Sequence, residues 1–275
     1  MDFVFFYIKR LVRVKYFCYH CNKRGEMMNE RLKNRLIFIV SSLIVLFTSI
    51  IILFEHKFEA IAVQNYTPDI SATMIMKNQQ NIDNANFDWA NVEDTNILSV
   101  ASSARSNNEV VGLITQPEAK IASTVVLGVE SESLNLSAGT VRPDQTMGEG
   151  NYVLAGHHVP KSEWALFSGI YYNAEPGQKV YITDLQNVYE YTITNVKFVP
   201  ANAVEIVHKD RWKLDVDGHK AGDPMITLFS CDATGDARIV EFGTLTKVYD
   251  MSKDKIPQEA VDGFERAANF EWSRD

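Results

Sequence analysis

The chain has 275 residues, 46% apolar and 23% charged, with 27 basic side chains against 35 acidic ones for a net charge of −8. This excludes a fully disordered chain and a multi-span membrane protein, and leaves room for one moderate domain with appendages. The charge is split: residues 1–35 carry +6, residues 36–54 no charge, and residues 55–275 carry −14. An acidic bulk also argues against nucleic acid as the main partner, because phosphate binding needs a cationic face.

Residues 1–35 read as a basic cytoplasmic N-terminus. Met27 and Met28 stand just before its basic flank, so translation starting at either would give a more compact leader. Cys18 and Cys21, with His20 between them, form half a zinc site without a second ligand pair nearby, and read as fortuitous. The uncharged run 36–54 would be about 28 Å long as a helix, close to the hydrocarbon thickness of a bilayer. Its only polar groups are Ser and Thr, which bond back to their own carbonyls, so it reads as a single transmembrane signal-anchor. Arg31, Lys33 and Arg35 precede it and Glu55 follows, which places the N-terminus inside and the rest outside the cell membrane. A cleaved signal peptide is the competing reading, on the small-x-small pattern Ala60-Ile61-Ala62; the apolar run is long for one.

Residues 55–108 are rich in Asn, Ser, Asp and Gln, contain no Gly, and read as an extracytoplasmic stalk. A helix is expected over 87–104, with Phe87, Trp89, Val92, Ile97 and Val100 as its apolar residues. From residue 109 short β-type runs follow at 110–115, 123–129, 151–155, 179–183, 189–198, 225–230 and 238–249, with one short helix expected at 161–167. In the fifth run Tyr189, Tyr191 and Ile193 alternate with Glu190, Thr192 and Thr194, the period of a strand with one buried face. Dense strands with few helices predict an all-β domain, an antiparallel sandwich or barrel, over 109–250. The stretch between Pro200 and Pro224 lacks a strand pattern and reads as a functional loop. Residues 251–275 read as a polar tail.

The exported part contains one cysteine, Cys231, so the domain folds without disulfides. Cys231 ends the apolar run Met225-Ile226-Thr227-Leu228-Phe229-Ser230 and opens into a polar turn, where a rigid strand fixes a reactive group and a loop exposes it. A buried structural cysteine reads equally well from this context alone. His157 also closes a strand-like run, Asn151-Tyr152-Val153-Leu154-Ala155-Gly156. Arg238 stands seven residues after Cys231, so a hairpin between them brings both strand ends together. Nucleophile, acid/base and fixed cation then converge. His158 is the weaker alternative to His157, and His208 and His219 read as solvated loop residues.

These residues carry a resemblance. The run 139–158, from Gly139-Thr140-Val141-Arg142-Pro143 to Ala155-Gly156-His157-His158, is similar to the histidine region of class A sortases. Thr227-Leu228-Phe229-Ser230-Cys231 resembles that family's TLxTC box, with Ser230 where Thr is usual, and Arg238-Ile239-Val240 resembles its arginine strand. The first strands, Thr115-Gln116-Pro117 to Ile121 and Ser123 to Val126, echo the family's IPxI…LPI pattern only in part. The resemblance covers roughly residues 109–249. It implies an eight-stranded β-barrel with short helices that attaches surface proteins bearing an LPxTG-type sorting signal to the Gram-positive cell wall.

Carried over residue by residue, it implies that Cys231 attacks the Thr–Gly carbonyl, that His157 moves the protons and that Arg238 steadies the oxyanion or orients the substrate. Ala155, Leu228 and Ser230 are then expected to touch the sorting peptide, and an amine of the lipid-linked peptidoglycan precursor accepts the acyl group. Some members bind calcium near the histidine strand. Here Glu149 matches one acid, but Arg142 and Gln145 stand where others are needed, so no cofactor is expected. Two alternatives remain open at this point: an exported cysteine peptidase that hydrolyses its acyl-enzyme, and a non-catalytic, membrane-tethered module that binds the cell wall.

Overall fold

The computed structural model describes residues 30–89, 100, 103, 109–159, 161–231 and 236–272. Cys18, His20, Cys21 and both early methionines lie outside them. The chain divides into two units, Met1–Leu53 and Phe54–Asp275. In the first, helix α1 spans Glu30–Leu53, and its segment Leu32–Leu53 is long and apolar enough to cross a membrane, with a mean hydropathy of 3.0. The hydroxyls of Ser41, Thr48 and Ser49 donate to carbonyls three or four residues back, which satisfies these three groups within the helix.

The second unit is built on a closed barrel. Its strands are β1 (Val110–Gln116), β2 (Ile121–Val126), β3 (Ala138–Thr140), β4 (Asn151–Ala155), β5 (Lys179–Thr183), β6 (Asn187–Pro200), β7 (Met225–Cys231) and β8 (Ala237–Asp250). They close in the order β1-β2-β3-β4-β7-β8-β6-β5. Pairing is antiparallel except for β2 with β3 and β4 with β7, which run parallel. Seven strands fall where the sequence patterns put them. The eighth, β3, is Ala-Gly-Thr, too short and small for periodicity to reveal.

Period-two alternation divides each strand between two cores. Tyr152, Leu154, Ile226, Leu228 and Ile239 point into the barrel with Ile114, Val180, Tyr191 and Ile193. Val153, Ala155, Met225, Phe229, Val240 and Phe242 point outward and pack under Ala203 and Ile206 of the β6–β7 connection.

The flanks depart from expectation. Helices α2 (Glu55–Gln64) and α3 (Ala72–Asn78) occupy the predicted stalk and bury Ala60, Val63 and Ile75, with Ile70 buried in the link between them, so this segment is partly domain. Ser71 caps α3 by accepting from the Met74 amide (3.2 Å). Of the helix expected over 87–104, residues 87–89 are not helical, Val100 and Ser103 are, and the others lie outside the described residues. The tail also folds. Helix α6 (Gln258–Ala267) buries Ala260, Val261, Phe264 and Ala267 beside Leu113, Val126 and Tyr181 of β1, β2 and β5. Its spacing of apolar residues at i, i+1, i+4 and i+7 is the amphipathic signal that the charged composition hid. The approach is so close that a Cβ on Gly263 would meet Thr115 Oγ1 at 2.0 Å. Between them in sequence, α4 spans Ser131–Leu134 and α5 Ser168–Asn173. The helix expected at 161–167 is displaced to α5, because Lys161 (φ 61°) and Leu166 (φ 48°) adopt left-handed backbone that a helix interior does not tolerate.

Candidate active site

Cys231 and Arg238 are the last aligned pair of the β7–β8 ladder. Directly opposed residues share a face, so both side chains emerge on the outer surface with Phe229 and Val240. Arg238 Nη1 lies 3.6 Å from Cys231 Sγ, and Arg238 Nε donates to Ala201 O (2.9 Å). The guanidinium is thus fixed from the β6–β7 connection while one nitrogen points at the thiol. On its other side it rests on two rings, with Trp89 and Phe229 centroids 4.9 and 5.4 Å away.

His157 arrives on the parallel neighbour. Ala155 pairs with Phe229, and the Gly156 amide continues the ladder by donating to Phe229 O (3.1 Å). Carrying this register two residues further sets His157 alongside Cys231. The segment is then clamped: Phe167 N–H donates to His157 O (3.2 Å), His158 bridges Leu166, and Val159 N–H donates to Ser168 Oγ (2.7 Å). Gly156 is needed because a Cβ there would meet the Phe167 ring at 2.5 Å. The adjacent histidine is held differently: its ring packs against Tyr171 and Tyr172, at 5.1 and 5.7 Å.

The expected peptide contacts separate by strand parity. Ala155 lies on the outer face. Leu228 points into the sealed interior, fully buried, and Ser230, one residue from Cys231, is 1% exposed. Side chains facing the closed barrel interior cannot line the outer face, so Leu228, and Ser230 on the same inner parity, are corrected from peptide contact to the interior.

Residues 201–224 form an ordered polar construction with 3-10 turns at Val204–Val207 and Lys209–Lys213. Buried Asn151 accepts from Thr227 Oγ1 (2.7 Å) and donates to Ile206 O and His208 O (3.2 Å each). Arg142 donates to Val207 O (2.8 Å), Asn151 O (2.9 Å) and Asp144 Oδ1 (3.0 Å). Asp217 receives Arg211, Lys197 and Asn195. His208 is exposed, as expected, and accepts from the Asp210 amide (3.1 Å). His219 is not solvated: it is fully buried, with Nε2 3.0 Å from Trp212 O and Nδ1 3.4 Å from Thr244 Oγ1.

Between the β3–β4 and β6–β7 connections a cavity of about 510 Å³ is lined by Asp144, Glu149 and Asp210 together with Arg142 and Lys209. Two further surface cavities are about 380 and 500 Å³, and none of the three is lined by Cys231, His157 or Arg238. Sequence reading missed Trp89 as a neighbour of Arg238, because its residues belong to a segment read as stalk. It also missed buried Glu241, whose only signal was a charge inside the apolar run of β8.

A thiol and a guanidinium on paired strand ends, with an imidazole just past the end of the neighbouring strand, are the group set of a thiol-dependent acyl-transfer enzyme. Residues 114–246 match the sortase domain family. Sortase A of Listeria monocytogenes is 34% identical over 187 residues, covering 66% of this chain and 78% of that protein. Sortase A of Streptococcus agalactiae is 32% identical over 190 residues, covering 66% and 72%. The solved structure of the Listeria enzyme is 35% identical over 53% of this chain and 92% of that one, with a TM-score of 0.47. The chain belongs to the sortase family, with its class A relatives, and is a cysteine transpeptidase that anchors surface proteins.

Proposed function

We propose that Cys231, His157 and Arg238 carry this transpeptidation on an LPxTG-type sorting signal. The Cys231 thiolate attacks the Thr carbonyl carbon; the C–S bond forms, and the C–N bond to Gly breaks as His157 gives its proton to the departing amine. The amine of a cell-wall peptidoglycan precursor then attacks the thioester, His157 takes its proton, and the thiolate leaves with the new amide complete. Arg238, with Nη1 aimed at the sulfur, supports the charge that develops beside it. The observation that carries this reading is the Cys231–Arg238 pairing at the open end of β7–β8, next to β4, whose end at Ala155 leads two residues on to His157.

The N-terminal apolar helix supports anchoring in the membrane. We infer a single pass with residues 1–35 in the cytoplasm and the barrel outside, on the basic flank Arg31, Lys33 and Arg35. The reading gives the catalytic roles to side chains alone, and what supports it is the positive charge that Arg142, bonded to Val207 O, brings to the cavity lined by Asp144, Glu149 and Asp210.

The test incubates the full chain with a fluorescent LPxTG peptide and an amine acceptor. Coupled product is expected, and Cys231→Ala should lower the rate by ~10⁴-fold or more. Free acid as the sole product despite added amine would replace transpeptidation with hydrolysis.

A further inference from the structure

The barrel interior holds a polar chain that the mechanism does not use. Gln116, the last residue of β1, and Glu241 of β8 are both fully buried. Gln116 Nε2 donates to Glu241 Oε1 (2.8 Å) and to Gln178 Oε1 (3.0 Å). Gln178 Nε2 in turn donates to the carbonyl of Asn173 (2.7 Å), the last residue of α5. The other end of α5 holds the backbone around the catalytic imidazole. There Phe167 N–H donates to His157 O (3.2 Å), and Ser168 Oγ accepts from Val159 N–H (2.7 Å). A helix of six residues is only about 9 Å long, so a shift at one end is felt at the other.

The chain is complete in one protonation state. Glu241 Oε2 and Gln116 Oε1 are buried oxygens without a donor among the described residues. A proton on Oε2 supplies one where two acceptors lack it. An ionised carboxyl instead calls for several donors, and the supply at hand is the two hydrogens of Gln116 Nε2, one of which serves Gln178. Ionisation therefore draws Gln116 away from Gln178 and unties α5. No cation offsets that charge. The other buried charged side chains are bonded elsewhere, Glu190 to Lys179, Arg211 to Asp217 and His219 to Trp212 O. The titratable groups that share the interior are the phenols of Tyr152 on β4 and Tyr191 on β6, with Tyr171 of α5 packed against it, while β1 carries none.

We propose that Glu241 is a positioning residue for His157, acting through Gln116, Gln178 and α5, so that its ionisation slows proton transfer as the medium turns alkaline. This rests on the reading of His157 as the proton carrier. Burial, which raises the carboxyl to about 7, keeps the acid form below neutrality.

The experiment follows coupling of a labelled LPxTG peptide to an amine by the full chain in detergent, at pH 6 and pH 8.5. Glu241→Gln keeps an acceptor for Gln116 and puts an amide hydrogen in place of the acid proton, without the ionisation. Its kcat should match the parent protein at pH 6 and exceed it about fivefold at pH 8.5, with equal peptide KM. Gln178→Leu unties α5 at either pH, so its kcat should lie about fivefold below the parent at pH 6. Adding Glu241→Gln to that variant should change nothing, because the link it acts through is gone. A kcat ratio of Glu241→Gln to parent that does not change with pH would overturn the proposal, as would independent effects of the two substitutions. Hydrogen exchange at the Phe167 amide needs no sorting chemistry. At pH 8.5 it should be several-fold slower in Glu241→Gln than in the parent, and equal exchange would overturn the link. Slower exchange with no coupling by any of the four proteins would support the link and overturn the transpeptidase reading instead.

Discussion

Strands β7 and β8 present two faces made of alternate residues, and the faces treat polar groups in opposite ways. On the outer face Arg238 has an oxygen, a sulfur and two rings around it, and Cys231 sits at the strand end. On the inner face Leu228 and Ile239 are sealed, and Glu241 is fully buried with Gln116 Nε2 as its hydrogen-bond donor (2.8 Å). Burial pushes the Glu241 carboxyl up to about 7, against the smaller opposing effect of that bond. A cation at a partly open rim keeps partners for its charge, whereas a carboxyl in a closed barrel does better by keeping its proton. One pair of strands thus supplies both a charged site and a dry support for it.

The largest separation of the two faces comes from changing one residue on each. Arg238→Lys keeps the charge but loses the fork that reaches Ala201 O and Cys231 Sγ together, and should lower kcat/KM by ~10²-fold with little change in unfolding midpoint. Leu228→Ala should do the reverse. Removing a fully buried side chain from the barrel core costs about 2–5 kcal/mol, read by denaturant unfolding in detergent, while kcat per folded molecule holds. If Leu228→Ala instead raised the peptide KM without loss of stability, Leu228 would belong to the peptide site and the division of faces would fail.

How much of this was legible follows from the same parity. Strong alternation in β6 and the apolar run of β7 made those strands readable, and the seven-residue spacing of Cys231 and Arg238 gave the hairpin that pairs them. Which face Leu228 and Cys231 occupy was not legible. Both lie in one continuous apolar run, and a strand covered on both sides shows no polar face to count from. The polar stalk hid Ile75 and Trp89 because their burial depends on tertiary contacts with β1 and Phe229 far along the chain. His219 was misplaced for a related reason, since its loop folds back until the imidazole meets Thr244 of β8.

A finer test of the inner face uses pH. The folded-state value of Glu241 lies above its ordinary 4.5, so the unfolded chain ionises first as pH rises. Its contribution to stability is present below about 4.5 and is lost as pH climbs to about 7, beyond which the loss levels off. Glu241→Gln keeps the acceptor for Gln116 and removes the ionisation. It should therefore unfold like the parent protein near pH 4.5 and be more stable at pH 8, by up to about 3 kcal/mol. Identical pH profiles for the two proteins would show that the carboxyl is not held neutral.

The smallest effect concerns the loop that covers the outer face. Arg142 ties the β3–β4 connection to the β6–β7 connection through Val207 O and to β4 through Asn151 O, and Asn151 ties the same turn to β4 through Ile206 O and His208 O. A guanidinium held by these carbonyls puts a positive charge in the cavity that Asp144, Glu149 and Asp210 line, and that charge opposes a divalent ion there. Millimolar calcium or a chelator should then change kcat/KM for the peptide by less than about twofold. Arg142→Ala should raise the peptide KM with a lesser effect on kcat, because it loosens the turn at Val207 and leaves the Cys231–Arg238 pairing in place. A calcium requirement in the parent protein would break this account, and would mean that the acids near Glu149 gather around an ion despite the arginine between them.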